Sequence, residues 1–512
     1  MIVNTETYTP YADERKVKLE ASFELIDVDA STLATAEGST GTFFSKLKQT
    51  HNKIPYMSRK IATVEPNEWR LDGSYSLVKE NKKNDEIGWW SERVSDENGN
   101  TYARLVYNFE TTQSSRGITV TFDDRTENYA TDFEVVAYDI NGQILASAEV
   151  TGNNSYVAYA DMAVQGYTRL DVLFYKVNKP NRRLRVVEVT FGYVKAFSSN
   201  DIVSFNVEYE TALDGKILPS NRLSLTVDNT DRRYNIINPT GIYRYLQKGQ
   251  GINASIVING ERVTMGRFYF DSAKSDDNSM TVTITAYDKM YQLNDLTVNV
   301  GASGTWTIKQ AVNAIIKATG LTIATNMPSD IASRKIGKAL PTNTTAREAL
   351  RLVAQAGKCV CFFNRLDELE FADPLASGVV DSLNNDRMAL LPTITDTGLI
   401  NSIEVESKDD YAETPIEVIY TAKDIGEDET ERKVIVTNPL VISDDVAEWL
   451  LQMSKYRIKY DITERGNPAR ELVDMVNIAD IYGENRNGIT VKQTFTAGKG
   501  LTGQIKAVTL YE

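Results

Sequence analysis

Apolar residues fall at every second position in run after run of this chain, and Gly, Asn, Asp and Pro separate the runs at short intervals. A period of two belongs to a strand with one face buried; a helix returns to the same face only every 3.6 residues. In RKVKLEASFELIDVDA, residues 15–30, Val17, Leu19, Ala21, Phe23 and Leu25 share one side. Between 62 and 194, strands are predicted at 102–109, 117–122, 132–139, 143–150, 169–175 and 184–193. Turn signals at such spacing indicate a β-sandwich, with Asp139-Ile140-Asn141-Gly142 as one hairpin turn. A second β-rich block, 201–300, holds IVSFNVEYE, LSLTVDN, INASIVING and MTVTITAYD, and its Asn259-Gly260 reads as a type I′ turn.

The period lengthens in three places only. TIKQAVNAIIKAT, 307–319, puts Ile308, Ala311, Val312, Ile315 and Ile316 on one face and ends at Gly320. TTAREALRLVAQA, 344–356, is capped by Thr344 or Thr345 and ended by Gly357. SDDVAEWLLQMSKY, 443–456, is capped by Ser443 and carries Asp444 and Asp445 in its first turn, where the helix dipole favours acids. KCVCFFNRLDELEFADP then predicts a hairpin turning near Asn364–Asp367, and strands return at 473–482, 488–495 and 503–511.

Composition excludes several functions. The chain has 512 residues, which suits several domains, and its net charge of −14 disfavours a nucleic-acid-binding surface. One histidine, His51, and two cysteines, Cys359 and Cys361, leave any catalytic reading to carboxylates alone. The CVC spacing is no disulfide framework and reads as buried strand. No apolar run reaches membrane-span length and no signal segment opens the sequence, so synthesis in the cytoplasm is expected. VGASGTWTIKQ lacks the GK[ST] of a phosphate loop. Asp123-Asp124, Asp276-Asp277 and Asp409-Asp410 sit in polar, turn-like contexts that predict a surface position, and no EF-hand spacing surrounds them. No cofactor is expected, and no enzyme.

Two stretches, LSLTVDNTDRRYNIINPTGIYRYL at 223–246 and RGNPARELVDMVNI at 465–478, read as joints, each a loop rich in Pro, Asn and Gly between strands. The stretch 225–252, LTVDNTDRRYNIINPTGIYRYLQKGQGI, with NGERVTMGRFYFDSA (259–273), TNTTAREALRLVAQAGKCVCF (342–362), RGNPARELVDMVNI and TFTAGKGLTGQIKAV (494–508), gives the chain an order of pieces that resembles the baseplate hub and tail-associated (tail tip) proteins of phage tails. The resemblance covers 10–30 and 195–512. It implies a mainly β, multidomain fold: two tail-tube-like β-barrels, a small α+β domain and an inserted β-sandwich. The expected division is 1–35, first strands of barrel 1; 36–61, linker; 62–194, an inserted jelly roll that looks like a galactose-binding-like, carbohydrate-binding module; 195–300, the rest of barrel 1; 301–394, the α+β domain; 395–512, barrel 2.

The resemblance also implies a homotrimer in the virion tail that joins the tail tube to a spike or tip. Its expected partners are a distal tail or tail-tube protein, a tape-measure protein, a spike, tip or receptor-binding fibre and, through the insert, host cell-wall carbohydrate, with DNA only in transient passage. No lytic region follows in this sequence, so lysis is not implied; a glycan-binding hydrolase or an adhesin is the alternative.

Within the insert, Trp69, Trp89, Trp90 and Tyr75 are the candidate carbohydrate-binding residues. Neighbours on a strand point oppositely, so one of Trp89 and Trp90 is expected to be partly exposed, as a sugar-stacking surface or as core and domain interface. The basic run 176–185, with Lys176, Lys179, Arg182, Arg183 and Arg185, reads as a solvated hairpin tip or as a dock for a phosphate-rich polymer. Eleven acids lie in 401–431. Glu404, Glu406, Asp409, Asp410 and Glu413 are candidates for lining a channel, where an acidic wall would let DNA slide; a mobile acidic hairpin is the other reading.

Overall fold

The computed structural model describes residues 8–26, 39–43, 65–66, 88–115, 117–123, 126–232, 234–235, 237, 248–427, 429–480, 482, 485–498 and 500–511. The fold is mainly β and multidomain, as expected. The chain divides into two compact units, Met1–Ser22 with Phe197–Glu512, and Phe23–Ala196.

The 23–196 unit is a β-sandwich. One antiparallel sheet has the order Asn100–Ser115, Val164–Val177, Ala130–Tyr138, Ile144–Val150. The other runs Thr42–Phe43, Trp89–Val94, Arg183–Phe197, Ile118–Phe122, Val157–Ala160. Alternate residues of both sheets meet in one core: Leu105, Tyr107, Phe133, Val135, Val172 and Phe174 face Trp89, Val120, Phe122, Val186 and Phe191. Each such side chain contributes roughly 1.5–3 kcal/mol by leaving water. The 139–142 turn forms as read. The Asp139 carboxylate accepts the amides of Asn141 and Gln143 at 2.9 and 2.8 Å, and Gly142 takes φ 79°.

In the other unit, the strand that begins at Val17 pairs with Gly251–Ile258, and Glu261–Asp276, Thr281–Tyr287, Arg222–Asp228 and Ile202–Glu210 follow in order. The strands expected in separate barrels are joined here. Ile202–Glu210 pairs with Asn485–Ala497 from Phe205↔Ala497 to Glu210↔Lys492. The ladder continues through Leu501–Thr509 and Ile458–Glu464 to Thr393–Asp396. The first half of Asn485–Ala497 also pairs with Met475–Ala479, which Val379–Leu383 joins in parallel. Leu383, Tyr460, Ile462, Val476, Ile478, Ile505 and Ala507 fill the core between these last strands, again at alternate positions.

Asn259 and Gly260 both take positive φ, 51° and 94°, in a two-residue loop between the paired Ile258 and Glu261, which is the expected type I′ turn. The helices form close to their predicted bounds. Ile308–Thr319 starts in a capping box of Thr307 and Gln310 and stops at Gly320, φ 72°; Ala346–Ala356 is capped by Thr345. With the hairpin Val360–Phe363/Glu368–Ala372 and strand Ala324–Asn326 they form an α/β module. Asp445–Ser454 starts later than predicted. Ser443 does not cap it, because its hydroxyl donates to the Asp445 carboxylate. That helix packs on strands Ser402–Asp409 and Ile416–Lys423, which with Lys433–Thr437 form a sheet of their own inside the segment read as barrel 2.

Candidate functional sites

The RGNPAR loop carries a charge network that no motif announced. Strand Ile458–Glu464 ends in a buried Glu464, and Gly466 turns the chain at φ 86°, where an added Cβ would lie 3.2 Å from the Gly503 nitrogen. The turn sends Arg470 back into the interior, where it is fully buried and donates to Asp381 at 2.6 Å and to Glu464. The Tyr11 hydroxyl lies between both acids, 2.7 Å from Asp381 and 3.0 Å from Glu464, and accepts from Arg470 at 2.9 Å. Burial alone would lower the Arg470 pKa, but Glu464, Tyr11 and Asp381 outweigh it and raise it. Burial also raises the pKa of the Tyr11 hydroxyl well above the ordinary range. Arg387 takes the other oxygen of Asp381 at 2.9 Å and covers the Tyr11 ring.

The N-terminal segment is thereby strapped to this loop. Tyr8 donates to Asn467 at 2.6 Å, Arg15 donates to the carbonyls of Gly466 and Leu501, and Arg465 donates to those of Tyr11 and Ala12. From the opposite side, Arg365 in the 364–367 turn of the α/β module donates to the carbonyls of Pro468 and Arg470 and stacks over Tyr209. Asp381 and Glu464 are two close carboxylates, yet both are occupied by Arg470 and Tyr11. The arrangement clamps three chain segments together; it is not laid out as an acid–base pair for a substrate. The only sequence signal for it was an arginine-rich turn, since its members lie up to 459 positions apart.

The candidate carbohydrate residues fare differently from one another. Trp69 and Tyr75 lie outside the described residues. Trp89 and Trp90 do point oppositely, but both are buried, so the expectation of an exposed partner is corrected. Trp89 belongs to the sandwich core; over Trp90 lies the Arg185 guanidinium, 4.1 Å from the ring centroid and ion-paired with buried Glu65 at 2.9 Å.

The basic run is likewise not a bare solvated tip. Besides Arg185, Arg183 donates to the carbonyls of Ser91 and Glu92, Arg182 to that of Pro66, and Lys179 to Thr126 and Glu127. Asp123, expected at the surface, is buried near Arg185. Cys359 and Cys361 are buried as read, and burial pushes the Cys359 thiol up to about 12.

Strand alternation sorts the acids of 401–431. Glu404 stands opposite Thr421 and Ile435, and Glu406 opposite Ile419 and Thr437, on the face away from Ile403, Val405 and Ala422, which are buried. Asp409 lies on the other face, accepting from Ser303 at 3.2 Å, and Asp410 and Glu413 lie in the 410–415 turn. The five candidates therefore do not share one wall. Lysines lace the segment: Lys433 meets Glu404, Lys408 meets Asp410 and Glu417, Lys423 meets Glu431 and Lys455 meets Asp424.

Among the described residues no group of three or more His, Cys, Asp or Glu is placed to hold a metal ion, and no helix is long and apolar enough to cross a membrane. No protein-family model matches the chain, and no curated protein matches it. Among solved structures the chain is similar to the 43 kDa tail protein of prophage MuSo2 from Shewanella oneidensis, at 18% identity over 62% of this chain and 96% of that one, TM-score 0.44. It is also similar to the tail protein from Neisseria meningitidis MC58, at 13% identity over 62% and 93%, TM-score 0.45. A third likeness is to prophage tail protein gp18 from Listeria monocytogenes EGD-e, at 12% identity over 62% and 91%, TM-score 0.42.

Proposed function

We propose that this chain is a structural hub protein of a phage-type tail, forming a homotrimeric ring between the tail tube and a spike or tip. The observation that carries the reading is the single ladder through which Ile202–Glu210 and Asn485–Ala497 fuse two mainly antiparallel sheets within one chain, with an α/β module between them in sequence. Three copies would present six sheets, which suits a six-fold tube above and a three-fold tip below by closed cyclic symmetry. The order of motifs in the sequence supports the same assignment. In this reading the neighbours are a tail-tube or distal tail protein, a tape-measure protein and a tip or fibre protein, and DNA passes through the ring. The 23–196 sandwich is the module that meets carbohydrate at the host surface.

Native mass spectrometry of the purified protein tests the ring. A species of three chain masses is expected at concentrations where virion proteins assemble. A monomer there refutes the ring, and a dimer or tetramer refutes the three-fold match.

A further inference from the structure

On the outer face of the four-stranded sheet, two tyrosines stand side by side where two ladders break. Between the pairs Asn100↔Lys176 and Ala103↔Phe174, Thr101 and Tyr102 together oppose Tyr175. Between Asp132↔Lys176 and Phe133↔Phe174, Tyr175 is again the extra residue. Bulges of this kind re-aim side chains and concentrate at functional sites. Here they leave Tyr102 89% exposed and Tyr175 36% exposed, on the face away from the core.

The same face carries a pairing that folding alone does not favour. Glu134 and Glu149 are directly opposed across neighbouring strands, and like charges so placed repel. Among the described residues no cation pairs with either acid. Tyr175 donates to Glu134 at 2.9 Å, and after burial the influences on its hydroxyl are Glu134, Glu149 and Tyr138, all raising its pKa. The nearby arginines are already engaged: Arg104 and Arg169 both meet Asp171, at 2.7 and 3.3 Å, and Arg169 also covers the Tyr138 ring. What remains is two exposed tyrosines at neighbouring strand positions, beside carboxylate oxygens that can only accept. Aromatic faces stack on the apolar face of a pyranose and attract cations, and acceptor-only groups call for a donor-rich ligand.

We propose that Tyr102, Tyr175, Glu134 and Glu149 form a binding site for a pyranose bearing a free amine, with the sugar ring on the tyrosines and the ammonium between the two glutamates. This rests on the reading of the sandwich as the module that meets carbohydrate; the site itself is new to that reading.

The test is calorimetric titration of the full chain with a glucosamine trisaccharide and, separately, its fully N-acetylated counterpart. The amine-bearing sugar is expected to bind, with the acetylated one at least about tenfold weaker because it carries no positive charge. Tyr102→Ala should weaken both by about tenfold. Glu149→Gln removes one of the two acids and should cut the preference severalfold, Glu134 retaining the rest, while keeping the acetylated sugar's affinity. Tyr102 and Glu149 are exposed, and Glu149→Gln relieves a like-charge pair, so melts no lower than wild type are expected in both variants and separate binding from folding. Undiminished binding in Tyr102→Ala, or a preference undiminished in Glu149→Gln, overturns the site while leaving carbohydrate binding by the sandwich intact. Failure of both sugars to bind overturns the site as proposed. A wider glycan panel that also fails removes the carbohydrate reading, while the native mass still decides the ring.

Discussion

Replacing Arg470 by methionine isolates the clamp at the RGNPAR loop. The side chain is fully buried, and its two acceptors are buried beside it. Its removal leaves Asp381 with Arg387 at 2.9 Å, so one carboxylate stays compensated. Glu464 keeps only the Tyr11 hydroxyl, at 3.0 Å. The expected cost is that of one uncompensated buried charge, about 3–5 kcal/mol near neutral pH. Arg365 still has the Arg470 carbonyl, which the substitution spares, so the seam to the α/β module should persist.

The pH dependence gives the argument its sign. An uncompensated buried carboxylate has a raised pKa, so the folded variant holds a proton that the unfolded chain has released. Stability of the variant should therefore fall as pH rises from about 4.3 through that raised value. The deficit against wild type should be smaller at pH 5 than at pH 8. Urea unfolding read at both pH values, by hydrogen exchange of amides in strand Ile458–Glu464, measures it without assuming that the two units unfold together. A loss under about 1 kcal/mol, or a deficit independent of pH, would mean that the cluster is solvated and the clamp argument wrong.

Three other outcomes are expected. Gly260→Val should cost about 1 kcal/mol or more, from forcing φ 94° on a β-branched residue; nothing lies within 4 Å of its added Cβ, so a neutral melt would refute strain as the cause. Asp288 is buried, which pushes its pKa up to about 7, although it accepts the amides of Asn221 and Met290. Its raised folded pKa makes stability decline between about pH 4 and 7, so Asp288→Asn, which does not titrate, should flatten that decline as read by chemical denaturation, whatever it loses by offering one acceptor oxygen to two amides. Under the hub reading, Glu404→Lys with Glu406→Lys should leave the trimer intact but slow DNA release from assembled particles, because a basic face holds phosphates; normal ejection excludes a channel role for that face.

Legibility in the sequence followed range. Thr307, Gln310 and Gly320 announce a helix because capping box and terminal glycine lie within one helix length of each other. Asn259-Gly260 announces a hairpin because two residues set the turn type. The exposure of Trp89 and Trp90 was beyond such reading. Alternation correctly assigned them to opposite faces, but the second face is covered by Arg185 paired with Glu65, 120 positions away. The clamp was hidden for the same reason, since Tyr11, Asp381, Glu464 and Arg470 meet only after the sheets have paired. The acids at 404–413 show the intermediate case. Once the strand was placed, a period of two put Glu404 and Glu406 on one face and Asp409 on the other. Composition had grouped the acids only by nearness in sequence.

The joints between these modules also bear on the hub reading. A ring that joins tube to tip must transmit load between its two sheets, and a flexible linker would let them part. Here the sheets are connected by six consecutive residue pairs, from Phe205↔Ala497 to Glu210↔Lys492, rather than by a linker alone. Lys492 adds ion pairs to Glu208 at 2.5 Å and Glu210 at 3.0 Å across that ladder. Tyr209, on the same strand, lies under Arg365, whose guanidinium reaches the loop that Tyr8, Tyr11 and Arg15 hold from the other side. The chain's first described residues, its central hairpin and its last two hairpins thus meet around one loop. Partial opening at Arg470 would loosen the strap and the last strands together. The clamp should therefore open as a cooperative unit, with protection in Ile458–Glu464 and at Ala12, whose amide donates to the Thr9 carbonyl, lost at the same free energy.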